Sequence, residues 1–384
     1  MRVGVPKETR PDERRVAVTP ETARKLLDAG VDEVAVENGA GRTAAVPDEE
    51  YREEDARIVS ADEAWSADLV LKVQPPGPAE AERLREGAAL VCFLYPDANA
   101  DAYATLLDRR VTAVAMESVP RIARAQKMDA LSSMANIAGY KAVLEAANAF
   151  GRFFPLLMTA AGTVTPAHVL VIGAGVAGLS AIATARRLGA VTRAFDPRSA
   201  VRDQVESLGA RFLELELEAA EETEGGYAGM QTEEFLEAER KLLAEHVAEV
   251  DVVVSSALVH GREAPVLITE PMVRSMEPGS IVVDLAVEQG GNCALSRPGE
   301  TVDVDGVTVM GLTNLPSRLP VHASQLYARN VLALVGELLE EGELALDFAD
   351  EVVDRVTIAH EGRDRREEPE PVPAGETALP EGEE

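Results

Sequence analysis

The sequence predicts an α/β protein of two doubly wound domains, each built on a parallel sheet, with long helices joining them. Segments of β character alternate with helical ones almost from start to finish, and that pattern implies parallel sheets covered by helices. The chain has 384 residues, enough for two domains. Hydrophobic residues make up 46% but aromatics only 4%, so the cores must rest mainly on Ala, Val, Leu and Ile.

In chain order, RVGVP at 2–6 reads as the first strand. TPETARKLLDAG at 19–30 reads as a helix, with Thr19 at its N-cap and Gly30 after its end. VDEVAVE, ADLVLKV, ALVCFLYP and VTAVAME are further strands, each followed by a turn or a helical stretch. A helical segment over 131–153 links this domain to a second one that opens at His168 with VLVIGAG. VTRAF, RFLELEL, DVVVSSA, SIVVDLA and VTVMGL continue it, and a helix at about 321–340 is expected to return to the first domain. The expected domains are 1–132 completed by about 318–364, and 133–317, both Rossmann-like or flavodoxin-like. AAEETEGGYAGMQTEE at 219–234 is expected to be mobile, and 365–384 reads as a disordered acidic, proline-rich tail.

Composition excludes several classes. The net charge is −30, from 67 acidic against 37 basic residues, and this repels nucleic acid and anionic lipid. The excess runs along the whole chain, which favours adaptation to high salt over a local acidic partner surface. Cys92 and Cys293 lie far apart and form no CxxC, so they read as thiols in a reducing compartment. No signal peptide is expected, because 1–19 is charged throughout. The longest apolar stretch, about 169–183, contains glycines and is short for a bilayer span.

Gly173-Ala174-Gly175-Val176-Ala177-Gly178 is a G-x-G-x-x-G with its full context. It follows the apolar strand at 169–172 and opens a helix that stops at Gly189. A second strand ends at Asp196, 23 residues after Gly173. Gly173 permits the tight turn. Gly175 lets the backbone, with Ala174 and Val176, approach a pyrophosphate at the helix N-terminus. Gly178 allows close packing. Asp196 can accept hydrogen bonds from an adenosine ribose and repels a 2′-phosphate, which favours NAD(H). Arg198 complicates this, because an arginine there can accept a phosphate.

Beyond this signature, MRVGVPKE, RRVAVTP, the run from Lys72 and SIVVDLAVEQGGN resemble the family shared by alanine dehydrogenase and the α subunit of proton-translocating NAD(P) transhydrogenase, over roughly 1–350. PRIARAQKMDALSS at 120–133 is similar to the transhydrogenase loop around the nicotinamide. Carried over residue by residue, it implies roles for Arg121, Gln126, Asp129 and Ser132. EGGYAGM resembles that subunit's mobile loop, with Gly226 and Tyr227 near its tip, and the resemblance adds Leu258 to the nucleotide contacts. Alanine dehydrogenases carry a histidine where Tyr95 and Pro96 stand and an aspartate where Glu288 stands. Imine chemistry needs such an acid–base group. Arg15 and Lys72 match positions that hold pyruvate in those enzymes; their other reading is a structural ion-pair role.

The resemblance implies hydride exchange between two nicotinamide rings, which moves no proton and needs no protein acid, base or metal, only proximity and exclusion of water. It further implies a homodimer, an NADP(H)-binding β subunit and a membrane-spanning α2 subunit as partners, and a place on the inner face of the cell membrane. An alanine dehydrogenase and a non-catalytic NAD(H) sensor are the competing readings.

Overall fold

The computed structural model describes residues 1–215, 233–258 and 263–366. The chain first lays down β1 (Arg2–Val5), β2 (Glu33–Glu37), β3 (Arg57–Val59), β4 (Leu69–Leu71), β5 (Ala89–Cys92) and β6 (Thr112–Ala115). Helix α1 (Pro20–Asp28) lies between β1 and β2; Thr19 caps it and it buries Ala23 and Leu26. It stops before Gly30, whose φ of +96° only glycine adopts readily.

Helix α2 (Ala130–Ala149) leads out of this unit. The second unit follows as β7 (His168–Ile172), α3 (Val176–Arg187), β8 (Val191–Phe195), β9 (Arg211–Leu213), α4 (Glu233–Val247), β10 (Val252–Ser255), β11 (Ile281–Asp284), β12 (Thr301–Val304) and β13 (Val307–Met310). Helix α5 (Pro320–Leu338) then returns to the first unit, and the chain closes on β14 (Thr357–His360) and β15 (Arg363–Asp364).

The first sheet has the order β15-β14-β6-β5-β4-β1-β2-β3 and the second β9-β8-β7-β10-β11-β13-β12. In each, the winding reverses once, between β1 and β4 and between β7 and β10. Ligands bind at such switch points, beyond the carboxyl ends of the strands. Central strands are buried on both faces, as in Leu69-Val70-Leu71, because helices cover both sides.

The core explains how the units are tied together. Tyr327, Leu334, Val335 and Leu338 of α5 belong to the core of the first sheet. Helix α2 serves both cores: Met134 and Ile137 pack in the first, Ala142, Val143 and Ala146 in the second.

Several features differ from the sequence reading. The return of the chain adds antiparallel edge strands as well as a helix, since β14 pairs with β6 and β15 with β14, and the second sheet ends on an antiparallel edge where β12 pairs with β13. Helix α2 ends at Ala149 rather than near 153, because Phe150 leaves in extended conformation and its ring packs edge-on against Phe154 at 5.8 Å. A short hairpin, Leu157–Thr159 with Gly162–Val164, follows it. Of the expected loop at 219–234, only the last two residues are described, as the start of α4; Gly226 and Tyr227 lie outside the described residues. Of the expected tail, Arg365 and Arg366 are described; Arg366 pairs with Asp364, and Arg365 with Asp354.

Candidate functional site

The G-x-G-x-x-G stands at the switch point of the second sheet, between the ends of β7 and β10. Gly173 adopts φ +89° and its N–H donates to Phe195 O at 2.8 Å, which makes the tight turn. A Cβ on Gly178 would lie 1.8 Å from Gly173 O, so only glycine lets the helix start against the turn. Gly175 differs from both. Its backbone is extended, which any residue tolerates, and among the described residues no atom beyond its chain neighbours lies within 4 Å of where its Cβ would be. Among the described residues nothing demands a glycine there, and the open space fits an incoming group. Gly175 is also the N-cap of α3 and has no side chain to satisfy the first N–H groups, which leaves them to an anion. Gly175 and Val176 are exposed; Ala174 is buried. The site fits a dinucleotide pyrophosphate.

Asp196 ends β8 and is 5% exposed. Its carboxylate accepts from Ala174 N–H at 2.7 Å, from Arg198 N–H and Nε at 2.9 and 2.8 Å, and from Arg198 Nη2 at 2.9 Å. Arg198 is therefore neutralised by Asp196 and not poised for a phosphate. Across the switch point, Ser256 Oγ donates to Gly173 O at 3.1 Å, and Leu258 follows, half-buried.

The 121–132 segment stands at the start of α2. Asp129 is the helix N-cap: it accepts from Ser132 N–H at 2.8 Å and from Ser132 Oγ at 2.5 Å. These two residues thus hold each other. Arg121, just before the 3₁₀ turn Ala123–Met128, and Gln126 within it are both exposed. That turn is pinned from below: Arg124 pairs with Asp350 at 2.8 Å, Lys127 with Glu337 at 3.2 Å, and Asn330 Nδ2 donates to Lys127 O at 2.9 Å. The loop is held on α5 and presents Arg121 and Gln126 outward.

Two residues that sequence reasoning passed over position these parts. Gly139, seven residues after Ser132 and so on the same face of α2, approaches α3 so closely that a Cβ would lie 1.9 Å from Ala177 O. Ser180 Oγ donates to Asn136 O at 2.7 Å beside it. The helix that begins at the 121–132 loop is therefore keyed directly onto the helix that begins at the dinucleotide turn. Asn292, fully buried, accepts from Ser255 Oγ and Ala257 N–H, and its amide donates to Ala257 O and Pro265 O, each at 2.8–3.0 Å. It sets the loop after β10. A lone glycine inside a helical run was the available signal for the first; the SIVVDLAVEQGGN block contained the second.

The first sheet's switch point is filled by charges that pair with one another. Arg15 makes a two-pronged contact with Glu13 at 2.8 and 2.6 Å, the side chains 3% and 0% exposed. Burial raises the Glu13 carboxyl, but hydrogen bonds and charge from Arg15 outweigh it and bring it down to about 2. Lys72 pairs with Glu8 at 3.1 Å, equally buried. Arg15 and Lys72 thus have structural ion-pair partners. Glu288 accepts from Asn314 N–H at 3.2 Å, and Asn314 in turn contacts Glu13 and Arg15. Tyr95 is 43% exposed with φ +41°, its N–H held by half-buried Glu117 at 2.5 Å. The described histidines, His168, His246, His322 and His360, are scattered, and His260 lies outside the described residues. No group of three metal-ligating side chains occurs among the described residues, and no helix there is long and apolar enough to cross a membrane.

Comparison with known proteins identifies the family and the fold. Residues 4–138 match the family model "Alanine dehydrogenase/PNT, N-terminal domain", and 142–367 match "Alanine dehydrogenase/PNT, C-terminal domain". The chain is 46% identical over 367 residues to NAD(P) transhydrogenase subunit alpha of Haemophilus influenzae, covering 95% of this chain and 72% of that one. It is 32% identical to the alanine dehydrogenase of Mycobacterium tuberculosis, covering 94% of each. Among solved structures, the transhydrogenase from Sinorhizobium meliloti superposes with a TM-score of 0.87 at 43% identity, over 95% of this chain and 100% of that one. An L-alanine dehydrogenase superposes at 0.80 and 30%, over 95% and 96%. The chain belongs to the alanine dehydrogenase/PNT family and binds NAD(H).

Proposed function

We propose that this chain is the NAD(H)-binding component of a proton-translocating NAD(P) transhydrogenase, and that it passes hydride directly between its own NAD(H) and NADP(H) held by a partner subunit. The observation that carries this reading is the keying of α2 onto α3 at Gly139, which ties the outward-facing 121–132 loop to the dinucleotide turn. The greater identity to transhydrogenase α subunits than to alanine dehydrogenases supports it. When bound, the nicotinamide supplies the hydride. The chain's own residues bind, orient and exclude water. The α3 N-terminus and Gly175 take the pyrophosphate and the Asp196 side of β8 takes the adenosine ribose. Gln126 and Arg121 face the carboxamide, and Asp129 with Ser132 fixes the loop they stand on. Leu258, which follows the switch point, adds to the nucleotide contacts, and the family resemblance adds Gly226 and Tyr227, which lie outside the described residues.

The test is NADH-to-thio-NADP⁺ transfer with the partner NADP(H)-binding domain supplied. Turnover is expected only when the partner is present, and no NADH consumption with pyruvate and ammonia. Steady consumption with pyruvate and ammonia by the isolated chain would overturn the reading in favour of an amino-acid dehydrogenase.

The partners proposed are the NADP(H)-binding β subunit and a membrane-spanning α2 subunit, which would hold this chain at the inner face of the cell membrane. A second copy of this chain is also proposed. Phe153, Leu156, Met158 and Val164 expose 57%, 54%, 76% and 40% of their surfaces around the 157–164 hairpin. An apolar cluster of that kind marks an interaction surface. Equilibrium sedimentation should give twice the 40.9 kDa chain mass, and Met158→Glu should return it to one. The chain-wide acidic excess is read as adaptation to high salt.

A further inference from the structure

One face of α4 packs on the second sheet. Leu243 and Val247 on that face join Phe195 and Leu213 in the core, and Phe235 is buried two turns before Leu243. Glu239 lies on the same stripe, four residues after Phe235 and four before Leu243. It is a carboxyl in an apolar row and is 3% exposed. Among the described residues it has no hydrogen-bonding partner.

Its height in the fold follows from topology. Helix α4 connects β9 to β10, two strands that run the same way in one sheet, so it descends antiparallel to them. Its first half therefore lies at the strands' carboxyl ends, where Asp196 closes β8. The two carboxyls are near enough to interact electrostatically. Asp196 itself has little left to offer a ligand. A carboxylate has about four acceptor directions, and four donors, all from Ala174 and Arg198, already occupy them. A ribose hydroxyl placed beside Asp196 needs another acceptor.

We propose that Glu239 is that acceptor: a second carboxylate of the adenosine-ribose pocket, which binds a ribose hydroxyl, opposes a 2′-phosphate, and ties nucleotide affinity to pH. The proposal rests on the NAD(H)-binding reading of the second sheet. Burial pushes the Glu239 carboxyl up to about 7; Arg240 opposes that push and the Asp196 charge adds to it. Several charges on the neighbouring described elements are already engaged. Arg198 is held by Asp196, and Arg274 and Glu270 on the neighbouring helix pair with each other at 2.8 Å. Arg202 pairs with Glu214, and His246, Arg193 and Glu249 meet at the far end of α4.

A hydroxyl donates to the ionised carboxylate, so NADH should bind tighter as the carboxyl loses its proton. Calorimetric titration of the full chain with NADH should show Kd falling about tenfold from pH 6 to pH 8, with proton release on binding near pH 6. Glu239→Gln should make Kd flat over that range and narrow the NADPH-to-NADH Kd ratio at pH 8. Glu239→Leu completes the apolar stripe and should fold, but bind NADH about tenfold or more weakly at pH 8. A wild-type Kd that stays constant from pH 6 to pH 8 overturns the proposal. So does a Glu239→Gln protein that keeps the wild-type slope, or a Glu239→Leu protein that binds as tightly as wild type. If the wild-type chain binds no NADH at any pH, the underlying reading fails and takes this one with it.

Discussion

Replacing Gly139 by alanine puts a methyl carbon 1.9 Å from the Ala177 carbonyl oxygen, where real Cβ contacts essentially never fall below 3.0 Å. The obstructing atom is backbone in the first turn of α3, so no rotamer change relieves it. Helices α2 and α3 must separate by about 1 Å at their crossing. Overpacking of this kind costs roughly 1–3 kcal/mol. Against it stands the helix propensity of alanine, which favours the substitution by about 1 kcal/mol in an unobstructed helix. The steric term wins here because α2 is clamped into both cores and cannot shift freely. A net loss of up to about 2 kcal/mol is expected, read as a lower thermal midpoint by scanning calorimetry. NADH affinity should fall as well, by about threefold to tenfold, since each 1.4 kcal/mol of lost fit is tenfold in Kd. Because the two effects have opposite signs, the experiment decides cleanly. A Gly139→Ala protein more stable than wild type, with unchanged NADH affinity, would refute the idea that this crossing sets the site.

Other outcomes follow from the same geometry. Asp196→Ala should weaken NADH binding and relax discrimination against NADPH, because Arg198 is then released to meet a phosphate; calorimetry with both nucleotides measures this, and no change in either removes the role given to the carboxylate. Gln126→Ala should slow stopped-flow hydride transfer to a partner-bound NADP(H) analogue strongly while NADH affinity falls little. Asp129→Ala should cost about 1 kcal/mol through the lost helix cap, and transfer should slow with it as Ser132 loses its anchor. Glu13→Gln leaves Arg15 buried without its counter-charge and should destabilise by about 3–5 kcal/mol. Glu13 sits at about 2 when folded, below its unfolded range near 4.3. Its contribution is thus complete above that range and disappears as pH falls toward 2, so the acid-unfolding profile should be shallower in Glu13→Gln. Thermal stability should rise from low salt to molar KCl if screening relieves the −30 charge; an unchanged midpoint removes the high-salt reading.

How much of this was legible in the sequence depends on how local each signal is. The strand–turn–helix–strand–acid run from 168 to 196 was legible in full, because every step in it is set by neighbouring residues: φ at Gly173, the helix start at Gly175, the strand end at Asp196. The edge strands β14 and β15 were not, since both are short: TIAH takes its β character from pairing with β6, more than 200 residues away, and RD from pairing with TIAH. The same holds for charge. Arg15 and Lys72 look like anion-binding residues in isolation, and only the fold reveals that Glu13 and Glu8 are already upon them. Asp196 and Arg198 are close in sequence, yet the saturation of one by the other is a matter of side-chain geometry. Gly139 carried a weak signal, a glycine inside a helix, whose meaning lies entirely in the helix that crosses it.

The most direct measurement is a crystal structure of the chain with NADH. The pyrophosphate should rest on the N–H groups at the start of α3, against Gly175, with the ring reaching residues 121–132 and one face open to a second nucleotide. A ring directed away from that loop, or no dinucleotide at this turn in crystals soaked to saturation, would contradict the proposed hydride path.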